Sequence, residues 1–267
     1  MDYGYQLLRH VVQQVFGNIV PAARLTLLLF LMPFIVLLAV TGGTGFAVYT
    51  VGSGSVSGGA VFTGGLLTIV VAVLSYCWAA VGWHRYVLLE ETGNGILPVF
   101  RWGRIKAYFG RAFIVVLIIL AAVIAVTIAI GVVTAITQSA AIALFLGVGL
   151  VFGVSWLATR IGLVLPAAAV GERMTTGESW AATKPVSSQI LLPLIVIAIV
   201  SGLIGQLIVV LFGQTIEVEA FGVTQEQVTL NLVGQLLNAL VSWLQILVNL
   251  ALMTTLYGNL IEGRQLN

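Results

Sequence analysis

Charge is what this chain has least of. Lys, Arg, Asp and Glu together make up 7% of its 267 residues, while 60% are hydrophobic and the mean hydropathy is +1.13; a water-soluble domain carries about 25% charged residues. A water-soluble core is thereby excluded. No polar stretch between Leu25 and Tyr257 is long enough to fold alone, so residues 1–267 read as a single integral membrane domain. Cys77 is the only cysteine, which rules out an intramolecular disulfide; it sits in an apolar run and reads as packing. His10 and His84 are the only histidines, and neither has a His or Cys at ligand spacing. His84 with Glu90 and Glu91 is the one conceivable ligand group, but a His-Arg-Tyr run at a helix end reads more simply as an interface anchor. Asp2 is the only aspartate and no G-x-S-x-G is present, so Ser/His/Asp chemistry lacks its parts. The glycines at 42, 43, 45, 52 and 54 neither follow a strand nor open a helix, so no phosphate loop is implied. These absences argue against an enzyme; no catalytic residue, metal or cofactor is expected.

What is present is six long apolar runs. A hydrocarbon core about 30 Å thick needs roughly 20 apolar residues of helix. The runs that qualify centre on Leu25–Thr41, Gly65–Trp83, Phe113–Thr134, Ala140–Leu157, Ile190–Phe212 and Leu232–Tyr257. The expected fold is all-α, a polytopic bundle of six transmembrane helices over 24–267, preceded by an interfacial amphipathic helix in 1–23. The first run starts too late and is too long for an ordinary signal peptide, so the N-terminal segment is expected to stay attached. Only Thr137–Ser139 separates the third and fourth runs, which predicts a tight hairpin.

The net charge of +2 does not mark a nucleic-acid partner, because the basic residues lie beside the spans and report topology. Arg9 and Arg24 precede the first span; Arg85, Arg101, Arg104, Lys106 and Arg111 lie between the second and third; Arg160, Arg173 and Lys184 between the fourth and fifth; Arg264 follows the sixth. These are all eleven Lys and Arg, whereas the opposite side carries Glu217, Glu219 and Glu226. Short loops rich in Lys and Arg stay cytoplasmic, so both termini are expected in the cytoplasm. Arg160 is read as snorkelling to the interface, and Pro166 as kinking the end of a long fourth span.

The two outer loops differ. Thr41–Gly65 contains GGTGFAVYTVGSGSVSGG and reads as a flexible linker. Gly213–Asn231 is acidic, and Thr224 with Gln227 resembles a capping box that would start the sixth span. On the cytoplasmic side each odd-numbered span follows a mixed apolar and polar segment, which suggests three units of interfacial helix plus membrane hairpin. The first segment, YQLLRHVVQQVFGNIV, places Leu7, Leu8, Val11, Val12, Val15 and Ile19 on one helical face. The second is ILPVFRWGRIKAYFGRA and the third ESWAATKPVSSQ. Such segments set helix tilt or contact lipid headgroups; Arg85, Arg101, Arg104, Lys106 and Arg111 are the headgroup candidates.

No Asp, Glu, Lys or Arg lies near the centre of a span, which disfavours a proton-coupled transporter. The sixth span instead carries Asn231, Gln235, Asn238, Ser242, Gln245 and Asn249, spaced so that all six share one face. Unpartnered amides in hydrocarbon cost several kcal/mol each, so this stripe should face other helices or water. Thr68, Ala72, Ser75, Ala79 and Gly82, the set Thr127, Gly131, Thr134 and Gln138, and the pair Gly149 and Gly153 offer milder versions. Either they form close-packed interfaces or the stripe lines a polar path.

The segment LVLPAAAVGERMTTGESWAATKP, Leu163–Pro185, combines an L-x-L-P run after a span, a short charged turn, and Ser179 and Thr183 leading to the next span. It resembles the YciC-type bacterial inner-membrane proteins and is similar to the membrane domain attached to some glycerophosphodiester phosphodiesterases. The likeness extends loosely over Arg111–Arg264. It implies a six-helix inner-membrane bundle without the phosphodiesterase's catalytic domain, and carries over no site residues. The expected function is non-enzymatic: an envelope- or lipid-associated role with membrane lipids as partners, protein partners and self-association left open. The alternative is a transporter or channel for a small or amphipathic solute along the sixth span.

Overall fold

The computed structural model describes residues 3–41, 58–93, 95–220 and 223–266. Nine α-helices and one β-hairpin follow in order among these residues: α1 Tyr3–Phe16, α2 Ile19–Thr41, α3 Gly58–Leu89, α4 Trp102–Thr137, α5 Ala140–Ile161, α6 Val164–Val170, α7 Thr176–Thr183, α8 Leu191–Phe212, β1 Gly213–Ala220, β2 Val223–Leu230 and α9 Leu232–Leu260. Among the described residues six helical stretches are long and apolar enough to cross a membrane: α2, α3, α4, α5 with α6, α8 and α9. The protein is a multi-pass membrane protein. The 42–57 part of the Gly/Ser-rich linker lies outside the described residues.

Local chemistry sets the helix boundaries. Pro21 is tolerated in the first turn of α2, where its missing N–H would have no helical partner in any case. Gln138 takes the left-handed conformation and its N–H caps Thr134, and the Ser139 side chain then accepts from the Ile142 N–H to open α5. This is the tight hairpin expected between the third and fourth spans. The fourth span is broken at Gly162 and Leu163 before α6. Pro166 explains the break: it offers no N–H to the Gly162 carbonyl, and its ring opposes a continuous helix there.

The acidic loop is structured differently from the expectation. Gly213–Ala220 and Val223–Leu230 pair antiparallel, with Thr215 opposite Val228 and Glu217 opposite Glu226. Thr224 therefore lies in strand β2 and caps no helix. The cap of α9 is Asn231, whose side chain accepts from the Gly234 N–H at 2.9 Å. Ile216, Val218, Val223 and Val228, with Thr at 215, 224 and 229, form a β-branched segment that suits strands better than a helix start.

The three hairpins are α2 with α3, α4 with α5 and α8 with α9, each in contact with its own partner. Two short elements join them: α6 packs on α3, α4 and α9, and α1 on α8 and α9. Helix α1 buries a seam of Gly4, Leu7, Val11 and Val15. The face is narrower than expected, because Val12 is exposed and Ile19 belongs to α2. The segment before the third span is no separate helix. Its Trp102–Ala112 part forms the first turns of the 36-residue α4, a length of about 54 Å that exceeds the hydrocarbon core. The repeat of three like units therefore fails at its second member.

Packing is uneven along the spans. The core gathers Leu7, Val11 and Val15 of α1, Trp83 of α3, Tyr108 of α4, Leu163 and Ala169 around α6, and Leu247 and Leu256 of α9. These lie at the end that holds the Lys and Arg residues, hereafter the basic end. Toward the opposite end the same helices keep their apolar side chains uncovered: Phe145 is 77% exposed, Leu203 67%, Val210 70% and Leu236 64%. In water such surface would be untenable; in a bilayer it is the surface offered to lipid.

Candidate functional site

The basic end is organised by one carboxylate. Arg85, near the end of α3, donates from Nε to Glu91 Oε2 at 2.9 Å and from Nη1 to the Ala169 carbonyl of α6 at 3.0 Å. Arg101, just before α4, donates from Nε to Glu91 Oε1 at 2.8 Å. Partial burial opposes the charge on Glu91, but hydrogen bonds and charges from Arg101 and Arg85 outweigh it and hold the carboxyl below its usual range. Two of the five headgroup candidates are thus committed to a bridge joining α3, α4 and α6.

The other three differ. The Arg104 guanidinium lies against Gly171, at the C-terminus of α6, where a cation complements the final carbonyls. Lys106 sits over the Trp102 ring, its Nζ 5.6 Å from the centroid, and Arg111 is half-buried one turn further on. Arg104, Lys106 and Arg111 enter no ion pair among the described residues. Below Lys106 an apolar groove of about 360 Å³ runs between α3 and α4, lined by Ile69, Val70, Val73, Leu74, Trp102, Ile105, Lys106 and Phe109. Trp78, Phe100 and Trp102 form a contiguous aromatic cluster beside it, with ring centroids 5.0 and 6.1 Å apart. Such clusters mark the membrane–water interface.

Arg160 does not snorkel into open water. It is 4% exposed, lodged in the corner formed by the Trp156 and Trp180 rings, which meet edge to face at 80° and lie 4.9 and 3.5 Å from the guanidinium. Its Nε donates to Thr183 Oγ1 and its Nη2 to the Trp180 carbonyl. Two indole faces attract the cation through their quadrupoles, and the Trp156 Nε1–H donates to the Ser187 carbonyl at 2.7 Å, which fixes that ring. Ser179, fully buried, serves the broken helix directly: its hydroxyl donates to the Arg160 carbonyl at 2.6 Å and accepts from the Leu163 N–H at 3.1 Å. Thr175 and Glu178 form a complete capping box that starts α7 in the orientation required. The hydrogen bond from the Thr175 backbone, then that from its hydroxyl, keeps the Glu178 carboxyl below its ordinary range.

His84 is a core residue, not a surface anchor. It is 0% exposed and its Nδ1 lies 2.7 Å from Thr254 Oγ1. Thr254 gives its only hydroxyl proton to the Leu250 carbonyl at 2.6 Å. The imidazole must therefore donate from Nδ1, and Nε2 keeps a lone pair with no partner among the described residues. Neither Glu90 nor Glu91 bonds His84; Glu91 is taken by the arginines. Near the C-terminus Arg264 donates to the Val87 and Leu88 carbonyls, closing the end of α3.

The amide stripe of α9 is present as one face but is not a packed interface within this chain. Asn231 caps the helix, Gln235 Nε2 donates to the Leu230 carbonyl at 2.8 Å, Ser242 Oγ to the Asn238 carbonyl and Asn249 Nδ2 to the Gln245 carbonyl. Asn238, Gln245 and Asn249 are exposed and Ser242 half-exposed. The same face does meet another element lower down: Met253, one turn after Asn249, lies where a Cβ on Gly162 would come within 2.9 Å of its Sδ. Gly149 and Gly153 bring no helix into close approach, since a Cβ at either would meet nothing within 4 Å, and Gly131 is alike. On α3, by contrast, Ser75 and Ala79 are buried.

No family model, curated protein or solved structure matches the chain.

Proposed function

We propose that this is a non-enzymatic inner-membrane protein that associates with lipid, the basic end and both termini lying in the cytoplasm. The observation that carries this reading is the uneven packing: a dense platform at the basic end, and spans above it whose apolar side chains are left to the bilayer. The distribution of all eleven Lys and Arg supports the orientation. The resemblance of Leu163–Pro185 to YciC-type proteins agrees with an inner-membrane location. Native mass spectrometry of the protein released with its surrounding bilayer is the test. A lipid retained in fixed stoichiometry supports the reading, and retention of nothing beyond bulk lipid contradicts it.

A second reading is favoured by the exposed polar face of α9: this face serves a small or amphipathic solute. Single cysteines at Asn238 and Gln245, in a Cys77→Ala background, should then react with a membrane-impermeant thiol reagent. Failure of both to react removes that reading.

A further inference from the structure

We infer that the groove between α3 and α4 is a binding site for one anionic glycerophospholipid, with Lys106 holding the phosphate. This rests on the lipid reading above and sharpens it to one site and one headgroup charge. Four positions of α3, Ile69, Val70, Val73 and Leu74, recur at helical spacing and present one continuous apolar wall. Trp102, Ile105 and Phe109 of α4 supply the facing wall. The only charged side chain among the lining residues is Lys106.

The neighbouring cations select Lys106 from the basic cluster. Arg85 and Arg101 are both held by hydrogen bonds to Glu91, and Arg104 is turned against Gly171. Lys106 is exposed, its ammonium positioned by the Trp102 ring rather than by a carboxylate. An ammonium at the rim of an apolar groove matches an amphiphile whose phosphate is anionic and whose acyl chain is apolar. Free phosphate would leave the groove walls without a partner, and a zwitterionic lipid would place its own cation near Lys106. The aromatic cluster of Trp78, Phe100 and Trp102 sits where the glycerol backbone would lie.

The full chain in bilayer discs of equal parts phosphatidylcholine and phosphatidylglycerol provides the experiment, read by native mass spectrometry. The wild type should retain phosphatidylglycerol in preference to phosphatidylcholine. Lys106→Gln should lower that preference about fivefold, the effect of one basic residue at an anionic surface, and Val73→Trp should reduce retention of either lipid at this site. Lys184→Gln, which alters an exposed cation outside the groove, should change nothing. Phosphatidylglycerol retained equally by wild type and Lys106→Gln would overturn the site and leave the general lipid reading standing. A wild type that retains no lipid would remove both. Inorganic phosphate displacing the lipid as well as phosphatidylglycerol does, or a lipid-free dimer closing the groove, would also overturn the site.

Discussion

Ser179→Ala removes one oxygen atom from the junction on which the basic end depends. The hydroxyl is fully buried and serves two backbone groups that the break in the fourth span leaves without helical partners, the Arg160 carbonyl and the Leu163 N–H. Each buried polar group left unsatisfied costs about 1–3 kcal/mol. Thr183 Oγ1, 3.4 Å from the Arg160 carbonyl, relieves part of one loss, so the expected destabilisation is about 2–3 kcal/mol. The corresponding fall in melting temperature is about 5–10 °C for a chain of this size. Two assays report on it: thermal unfolding in bilayer discs, and hydrogen exchange at the Leu163 amide, which should lose protection before neighbouring amides do. Ser188→Ala, at an exposed serine on the same connection, is the control and should change neither. A Ser179→Ala protein that melts with the wild type and keeps Leu163 protected would refute the claim that α7 is docked through this hydroxyl.

Glu91→Gln frees Arg85 and Arg101 and should cost about 1.5–3 kcal/mol, nearly all from the Arg85 contact because Arg101 is half-exposed. The folded carboxyl is held below its unfolded range. Its stabilising contribution is therefore present above the unfolded value and disappears as pH falls through the folded one. An acid unfolding curve should lose part of its slope in Glu91→Gln, and an unchanged curve would contradict the bridge. Gly171→Ala forces a side chain into a φ of +107°. Arg104 can move aside but the backbone cannot, so a loss of at least about 1 kcal/mol is expected in thermal unfolding. Trp180→Ala strips one indole from Arg160 and should destabilise by about 2 kcal/mol. Arg160→Lys should be nearly as costly, because an ammonium cannot lie flat against an indole while donating in a fork.

Much of the architecture is legible in the sequence because a bilayer imposes a length and a composition that few soluble helices meet. The six spans, their order and the tight turn at Thr137–Ser139 follow from that constraint alone. The ends of the spans are less legible. Helix α2 begins at Ile19 and α4 at Trp102, since the helices continue past the hydrocarbon into a platform where polar residues no longer signal an end. The S/T-x-x-E/Q pattern occurs at both Thr175–Glu178 and Thr224–Gln227. Only the first is a cap; the second lies among β-branched residues that pair as strands. Arg160 beside Trp156 can be anticipated from helical spacing, but Trp180 comes from another helix 20 residues away. The partner of His84 is 170 residues distant, and no local pattern marks such a pair. Of the five basic candidates the sequence shows the charges, while only the structure shows that two of them share Glu91. The amide stripe is legible as a face, yet its covering depends on which helices pack against α9, which periodicity does not encode.

The spans join at the basic end and leave the apolar side chains of their other halves uncovered for lipid. Single nitroxide labels at Phe145, Leu203 and Leu236, compared with Leu247 in the packed core, test it in bilayers through collision rates with oxygen and with a water-soluble nickel chelate. The first three labels should collide freely with oxygen and little with nickel, as lipid-facing sites do, while the label at Leu247 meets neither. Low oxygen collision at Phe145 and Leu203 would mean that the hairpins close on one another, and would contradict the claim.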